Sequence, residues 1–267
     1  MKRKVKTKVK GFRTTDGAGV KLVRVLGNLT TKEFDPILML DSFDSINPDD
    51  YTAGFPMHPH RGIETISYVS RGKMVHRDSL GNEAGISDGE VQWMNSGSGI
   101  MHEEMVPAAE RLLGVQLWLN LPAKDKMSKP SYNSIKNEDI KEIEIEGGKI
   151  RLLAGKYGEH EGYKGDYLSM DYYDIHLNAD AEVTLTMEED DSVMVFTLLG
   201  DVYIDGEHIE EKTAVKLTEG DSLTIKNGNE KAQVLYMNSR ALNETGCMGR
   251  SDCNEYAGRA SKGVFRT

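Results

Sequence analysis

Residues 55–106 decide the fold of this chain and read FPMHPHRGIETISYVSRGKM…GEVQWMNSGSGIMHEEMV. They contain two polar pairs, His58 with His60 and His102 with Glu104, whose members lie two positions apart. Residues i and i+2 of a strand share one face, about 6.5–7 Å apart, so each pair could present two donors to one point. If the two strands lie side by side in a barrel, three imidazoles and one carboxylate converge. A six-coordinate metal there would keep about two positions open, which favours small-molecule or oxygen chemistry.

The composition predicts a soluble protein without a general nucleic-acid surface. The chain has 267 residues, 28% of them charged, and a net charge of −10. Its mean hydropathy is −0.50. Affinity for phosphates rests mainly on clustered Lys and Arg, which an acidic balance does not favour. The basic opening MKRKVKTKVKGF is the exception, and its alternation with Val5 and Val9 predicts a first strand with a solvated face.

Targeting and cysteine signals point to the cytoplasm. No apolar run approaches the roughly 20 residues of a membrane span, and the N-terminus lacks the apolar segment of a signal peptide. We therefore expect a cytoplasmic protein that binds no membrane. Cys247 and Cys253 are the only cysteines and both lie in the terminal tail. The sequence predicts neither a disulfide framework nor a thiolate zinc site.

Short apolar segments bounded by Gly or Asn recur along the chain, which predicts an all-β sandwich or barrel. The composition turns polar over residues 124–137, the predicted crossover to a second unit. The later segment GDVYI with its following Gly-Asp resembles the Gly72…Gly89 arrangement, which indicates an internal duplication. The second half reads TMEEDD where the first has His-X-His. We predict three regions: an N-terminal domain with the metal site at 1–125, a C-terminal domain without one at 126–240, and an atypical tail at 241–267.

The spacing of histidines and glycines resembles the two cupin motifs, and it reads His58-X-His60-X3-Glu64-X7-Gly72 and Gly89…Asn95-X-Gly97-X4-His102. More narrowly, four phrases are similar to the pirin family: HPHRGIETISYVSRG, MNSGSGIMHEE, GVKLVRVLG and GVQLWLNLP. The resemblance covers most of the chain before the tail. Pirins are bicupins, with two tandem jelly-roll barrels and one iron site in the N-terminal half. The resemblance therefore implies this fold, with His58, His60, His102 and Glu104 as the metal ligands.

The carboxylate ligand has two candidates. Many other cupins use the glutamate of the first motif, here Glu64, whereas the pirin match implies Glu104. Spacing alone does not separate the two. If it is not a ligand, Glu64 is expected to accept a hydrogen bond from Arg61 or from a ligand imidazole, because ligand histidines usually have their other N–H held. Glu103 points to the opposite face of a regular strand and is not a candidate.

The remaining polar and aromatic residues receive structural roles. Single histidines in strands are expected to be hydrogen-bonded structural residues, and they are His76, His160, His176 and His208. Trp93 and Trp118 are expected in the core. The run EEDD at 188–191 is expected to be a solvated turn.

Imidazole and carboxylate donors without sulfur suit Fe(II), Mn, Co, Ni, Cu(II) or Zn. The iron record of the family makes non-haem Fe(II) the first choice. The resemblance implies a quercetin 2,3-dioxygenase activity, in which the metal holds a flavonol-like enediol or hydroxyketone and dioxygen cleaves the ring. Glu104 is the predicted catalytic base that takes the substrate hydroxyl proton, or Glu64 if it is free.

A second function belongs to a different class. Some pirins act as transcription coregulators or modulate a metabolic enzyme, so the resemblance also implies a metal- or redox-responsive regulator without turnover, which acts through a protein partner. An apolar cavity at the metal would favour the catalyst, whereas a sensor needs only an accessible ion. Family members are often monomeric, and we expect a monomer.

The tail departs from the family pattern. Pirins usually close with a Gly-Pro-X-Val-Met-Asn-Thr segment and a helix that packs on the N-terminal half. Codons can be chosen for Gly246–Thr267 that spell this ending when they are read one base out of phase. We therefore predict a one-base frameshift after Thr245, and a tail that is disordered or loosely packed because it has few apolar residues.

Overall fold

The computed structural model describes residues 1–244, so the predicted frameshift and the loose packing of the tail lie outside the described residues. The first twelve strands are β1 (Val5–Lys10), β2 (Phe12–Asp16), β3 (Val20–Leu26), β4 (Ile37–Ser45), β5 (Phe55–His60), β6 (Ile63–Arg71), β7 (Lys73–Asp78), β8 (Glu83–Ser87), β9 (Glu90–Asn95), β10 (Ile100–Met105), β11 (Leu112–Asn120) and β12 (Ser131–Ile135). Two 3₁₀ turns lie between them, at Pro48–Asp50 and Ala123–Asp125.

The second half of the described chain also consists of strands. They are β13 (Lys141–Ile145), β14 (Gly148–Ala154), β15 (Lys156–Tyr157), β16 (His160–Glu161), β17 (Met170–Leu177), β18 (Glu182–Thr186), β19 (Ser192–Leu199), β20 (Val202–Ile204), β21 (Glu207–Ile209), β22 (Thr213–Leu217), β23 (Ser222–Asn227) and β24 (Ala232–Ser239). No helix within residues 1–244 is long and apolar enough to cross a membrane.

The strands form two barrels of matching topology. In the N-terminal barrel a seven-stranded sheet, ordered β12-β9-β6-β11-β4-β3-β2, faces a four-stranded sheet, ordered β5-β10-β7-β8. In the C-terminal barrel the sheet β1-β22-β19-β24-β17-β14-β13 faces the sheet β18-β23-β20-β21. The orders correspond strand for strand, with β5 matching β18 and β10 matching β23. The predicted all-β fold with two tandem cupin barrels is confirmed.

The two barrels exchange one strand each. β1 is antiparallel to β22 of the C-terminal barrel, with Lys8 opposite Val215, although it begins the chain. β12 pairs with β9 of the N-terminal barrel, with Asn133 opposite Trp93. The sheets therefore depart from the predicted division after residue 125 by one strand at each end. Each exchanged strand covers an edge that would otherwise expose unpaired backbone groups.

Strand burial explains how the barrels pack. Strand β9 is buried at every position, because one of its faces lines the N-terminal barrel and the other lies between the barrels. The interface core contains Trp93 and Ile66 from the N-terminal barrel and Tyr172 and Leu235 from the C-terminal barrel. Because side chains alternate along a strand, the residues of β6 in step with Ile66 point toward the C-terminal barrel, and the residues between them point into the interior of the N-terminal barrel.

Candidate metal centre

Strands β5 and β10 bring three imidazoles together inside the N-terminal barrel. His58 and His102 are cross-strand partners, and His60 lies opposite Ile100. The Nε2 atom of His58 is 3.0 Å from Nε2 of His60 and 3.1 Å from Nε2 of His102. The three histidines offer ligand atoms that all lie within 4.8 Å of one another. The structure thus brings the three sequence-predicted imidazoles to one point.

Burial keeps two of these imidazoles neutral. Burial, together with the neighbouring imidazoles, lowers the pKa of His60 to about 3 and the pKa of His102 to about 3. His58 is only half-buried. A neutral imidazole has one nitrogen with a free lone pair, which is the form that binds a metal.

Hydrogen bonds on the far side of two rings turn Nε2 toward the shared point. The Nδ1–H of His58 donates to the backbone carbonyl of Pro56 at 2.8 Å, which leaves the Nε2 lone pair free. The Nδ1 atom of His102 lies 3.3 Å from Nδ1 of His76. Such contacts on the second ring nitrogen are typical of histidines that bind metals.

Glu104 lies on the same face of β10 as His102 and is almost fully buried. Its carboxylate accepts hydrogen bonds from the Gln92 amide, from the Gln116 amide at 2.7 Å and from the Ser67 hydroxyl at 3.3 Å. Glu104 is not among the residues whose ligand atoms lie within 4.8 Å of one another. Its position inside the barrel is compatible with a fourth ligand or a base, and both roles stay predictions.

The residues that hold Glu104 were missed by sequence reasoning, although a signal was present. Gln92 and Gln116 each interrupt an otherwise apolar strand, in VQWM and VQLW, and Ser67 does the same in ISYV. A polar side chain at the inward position of a buried strand needs a hydrogen-bond partner. Here the shared partner is the Glu104 carboxylate.

Glu64 faces away from the imidazoles. It is in step with Ile66 on β6, and Trp93 Nε1–H donates to its carboxylate at 3.1 Å. Burial raises the pKa of Glu64 to about 7, against the smaller opposing effect of the Trp93 hydrogen bond. The structure therefore places Glu64 against the interface core and not against a ligand imidazole or Arg61. Glu103 also points away, with an oxygen 3.7 Å from the Arg77 guanidinium.

The four other histidines have different surroundings, and His160 is exposed on the short strand β16. His176 and His208 hydrogen-bond to Asp174 and Asp201, at 2.8 and 2.9 Å, as structural residues would. His76 is different, because it is fully buried and touches His102. No partner could be predicted for His76 from its place in the sequence, since the contact depends on the pairing of β7 with β10.

The interior face of the N-terminal barrel carries further polar groups around the imidazoles, and their chemistry is compatible with a bound metal. The buried side-chain atoms that lack a hydrogen-bond partner within residues 1–244 include Thr65 Oγ1, Gln92 Oε1, Trp118 Nε1, Tyr132 OH and Ser134 Oγ. Trp118 was predicted to lie in the core, but its ring packs edge-on against His60, with the ring centroids 5.0 Å apart. Buried polar atoms of this kind are normally satisfied by water or a ligand. With three imidazoles and one carboxylate nearby, the donor set suits a divalent transition metal.

Two surface grooves lie elsewhere. The larger, about 990 Å³, includes Arg13, Lys21 and Lys212 in its lining, and the smaller, about 400 Å³, lies around Met170 and Asn238. Neither is lined by a candidate ligand. The charged groups of the larger groove are largely paired with each other, for example Lys21 with Asp50 at 2.7 Å. These grooves do not bear on the imidazole centre.

Comparison with known proteins identifies the family. The Pirin family model matches residues 19–119, and the model of the Pirin C-terminal cupin domain matches residues 172–248. A Pseudomonas aeruginosa protein provisionally named quercetin 2,3-dioxygenase is 38% identical over 244 residues, covering 88% of this chain and 85% of that protein. Pirin of Homo sapiens is 34% identical over 238 residues, covering 86% of this chain and 79% of its own length.

A solved structure agrees with these sequence matches. Quercetin 2,3-dioxygenase from Acinetobacter baumannii superposes with a TM-score of 0.84 at 29% identity, covering 93% of this chain and 91% of that one. The two barrels, the inward histidines of the first barrel and the extent of these matches lead to one conclusion: the chain belongs to the pirin family.

Proposed function

We propose that this protein is a mononuclear non-haem metal protein with dioxygenase activity on flavonol-like substrates. The observation that carries the proposal is the convergence of three Nε2 atoms inside the N-terminal barrel. The Nε2 atom of His58 lies 3.0 Å from that of His60 and 3.1 Å from that of His102. Imidazole nitrogens this close share a point at which their lone pairs can bind a cation. The relatives named for quercetin 2,3-dioxygenase support the same reaction class.

Fe(II) is the metal we propose, held by His58, His60, His102 and Glu104. Mn, Co, Ni, Cu or Zn would also accept this nitrogen and oxygen donor set. When bound, the metal supplies a Lewis acid and a route for electrons between substrate and dioxygen.

The side chains of the barrel supply binding and proton transfer. Glu104 accepts the proton of the substrate hydroxyl, because its carboxylate is fixed by the Gln92 and Gln116 amides and already acts as an acceptor. Trp118 Nε1–H and Tyr132 OH have no protein partner within residues 1–244 and are free to orient the substrate oxygens. The surrounding buried strands exclude bulk water from the reacting atoms.

A regulatory role without turnover is the second candidate. His58 is half-buried and lies between exposed neighbours, Met57 and Pro59, so the metal centre would border the surface on its His58 side only. An ion near the surface could change the properties of that surface for a protein partner when its oxidation state changes.

Metal analysis followed by an oxygen-uptake assay tests both candidates. The protein, purified without a histidine tag, is loaded anaerobically with Fe(II) and mixed with quercetin. We expect stoichiometric iron and oxygen uptake that is abolished in His58→Ala and Glu104→Ala. His208→Ala is the matched control, since His208 lies half-exposed on the C-terminal barrel.

The outcomes separate the candidates. Stoichiometric iron without oxygen uptake on any flavonol would refute the dioxygenase and favour the regulatory role. A protein that binds none of the six metals would overturn both. Retention of iron and turnover in His58→Ala would show that the imidazole cluster is not the centre.

A further inference from the structure

A second layer of polar residues lies directly behind His102. Its Nδ1 atom is 3.3 Å from Nδ1 of His76, and Nε2 of His76 is 3.0 Å from Oδ2 of Asp78. His76 and His102 are fully buried, and Asp78 is nearly so. The three side chains form a line that runs from the barrel wall at β7 to the imidazole cluster.

The hydrogen bonds of Asp78, at the outer end of this line, determine which way His76 and Asp78 are hydrogen-bonded. Oδ1 of Asp78 accepts from the backbone N–H groups of Leu80 and Asn82, at 2.9 and 3.1 Å. Oδ2 accepts from the Asn82 side-chain amide at 2.8 Å. With three N–H groups aimed at it, the carboxylate acts as an acceptor only. His76 must therefore donate to it from Nε2.

The donor in one hydrogen bond determines the donor in the next. A neutral imidazole has one N–H, so a His76 that donates from Nε2 accepts at Nδ1. His102 must then carry its proton on Nδ1, and its Nε2 lone pair faces His58. The ring of Tyr132 stacks on His76 with centroids 4.1 Å apart and planes 15° apart, which restrains the ring. Asp78 thus determines the tautomer of His102 through His76, which lies between them.

We propose that His76 and Asp78 are positioning residues that hold His102 in its metal-binding tautomer and strengthen its donation to the metal. This inference rests on the proposed metal site. Outer partners of ligand histidines raise the basicity of the ligand, and their loss commonly weakens metal binding by about 10- to 100-fold. A stronger donor also favours the oxidised metal, so the pair is expected to lower the Fe(III)/Fe(II) potential.

Asp78→Asn is the sharpest test, because it keeps the shape and replaces the acceptor Oδ2 by a donor; the Asn82 side-chain amide, which donates to Oδ2 in the wild type, turns to present its oxygen instead. The Asn oxygen will face the Leu80 and Asn82 N–H groups, which leaves its NH2 group facing His76. His76 must then accept at Nε2 and donate from Nδ1, which moves the proton of His102 to Nε2. We expect the Nε2–H tautomer of His102 in ¹⁵N NMR of the metal-free variant, and about 10- to 100-fold weaker metal binding.

Two variants of His76 test the same idea at the next position. Gln at this position offers an amide oxygen to His102 Nδ1–H, whereas Leu offers nothing. His76→Gln should keep metal affinity within a few-fold of the wild type, and His76→Leu should weaken binding and shift the Fe(III)/Fe(II) potential to a more positive value. Rescue by Gln separates hydrogen bonding from packing.

Asp201→Asn is the matched control, since Asp201 and His208 form a similar pair, 2.9 Å apart, on the C-terminal barrel. It should leave the His102 tautomer and metal affinity unchanged. An Asp78→Asn protein that is folded by circular dichroism and has the wild-type tautomer, affinity and potential would overturn the inference. If the wild type binds no metal, the proposed function fails, while NMR of the metal-free protein still decides the role of Asp78.

Discussion

The two barrels of this protein share one topology and enclose different chemistry. On β5 and β10 the inward side chains include His58, His102 and Glu104. On the corresponding strands β18 and β23 the buried side chains include Leu185 and Ile225, which belong to an apolar cluster. The same scaffold therefore serves as a packed core in one copy and as a polar chamber in the other.

The two barrels obtain their stability from different kinds of interior. Burying an apolar side chain contributes about 1.5–3 kcal/mol, and the C-terminal interior consists largely of such groups. Burying a polar group without a partner costs about 1–3 kcal/mol, and the N-terminal interior holds several such atoms within the described chain. Proteins commonly accept a local loss of stability where function requires polar groups.

The largest expected effect lies in the apolar barrel. Ile225 is fully buried, and Ile225→Ala removes apolar atoms and leaves a cavity. The free energy of unfolding should fall by about 2–5 kcal/mol, measured by urea denaturation. Stoichiometric metal binding should persist, since Ile225 lies in the other barrel. A loss below about 1 kcal/mol would show that the C-terminal interior is not a tightly packed core.

The contrast extends to the outer faces of the matching strands β6 and β19, of which only β6 carries a buried carboxyl group, Glu64. Burial raises the pKa of Glu64 to about 7. A group with a raised folded-state pKa stabilises the fold below its unfolded pKa and loses this contribution as pH rises through the folded value. Between pH 4 and pH 8 the loss amounts to about 3 kcal/mol for a shift of this size.

Glu64→Gln should remove this pH dependence, because an amide does not titrate and its oxygen can accept the Trp93 N–H. We expect the variant to be more stable than the wild type at pH 8 and similar at pH 4, measured by urea denaturation at both values. Glu103→Gln is the control, since Glu103 lies near the surface beside Arg77. Equal stability of Glu64→Gln and wild type at pH 8 would contradict the account of Glu64.

Metal should distinguish the barrels directly. A ligand that binds only the native state at 100 times its Kd stabilises that state by about 2.7 kcal/mol. With bound metal, amide hydrogen exchange should slow in β5 and β10 and remain unchanged in β18 and β23. His60→Ala should abolish the protection. Equal slowing in both barrels would mean that the metal acts on the whole molecule and not on the imidazole centre.

Local patterns explain what the sequence could predict. The period of two in the strands and the His-X-His spacing are short-range signals, and they predicted the all-β class and imidazoles that converge if their strands pair. The resemblance to the pirin family implied the two barrels and the ligand set. The contacts of His76 and the exchange of β1 with β12 depend on which strands become neighbours. Spacing along the chain does not contain that information. The polar interruptions at Gln92 and Gln116 signal buried polar positions, but they do not identify Glu104 as the shared partner.

Arg3 shows the same limit at the surface. The run at 188–191 contains the predicted exposed turn, and its backbone carbonyls at Glu188, Glu189 and Asp191 accept hydrogen bonds from the Arg3 guanidinium. Arg3 is itself buried. A long-range contact thus gives a structural role to a basic residue that composition alone assigned to the solvated start of the chain.

The smallest expected effect compares two threonines at buried positions of β6 and β19. Thr65 Oγ1 has no partner within residues 1–244, whereas Thr197 Oγ1–H donates to the Glu210 carbonyl at 2.6 Å. Thr65→Val keeps the shape and removes an unpaired hydroxyl, so the metal-free protein should become more stable by about 1 kcal/mol. Thr197→Val, the matched control, leaves the Glu210 carbonyl without its donor and should destabilise by a similar amount. If Thr65→Val also destabilises, the hydroxyl has a partner such as an ordered water, and the polar chamber is hydrated in its resting state.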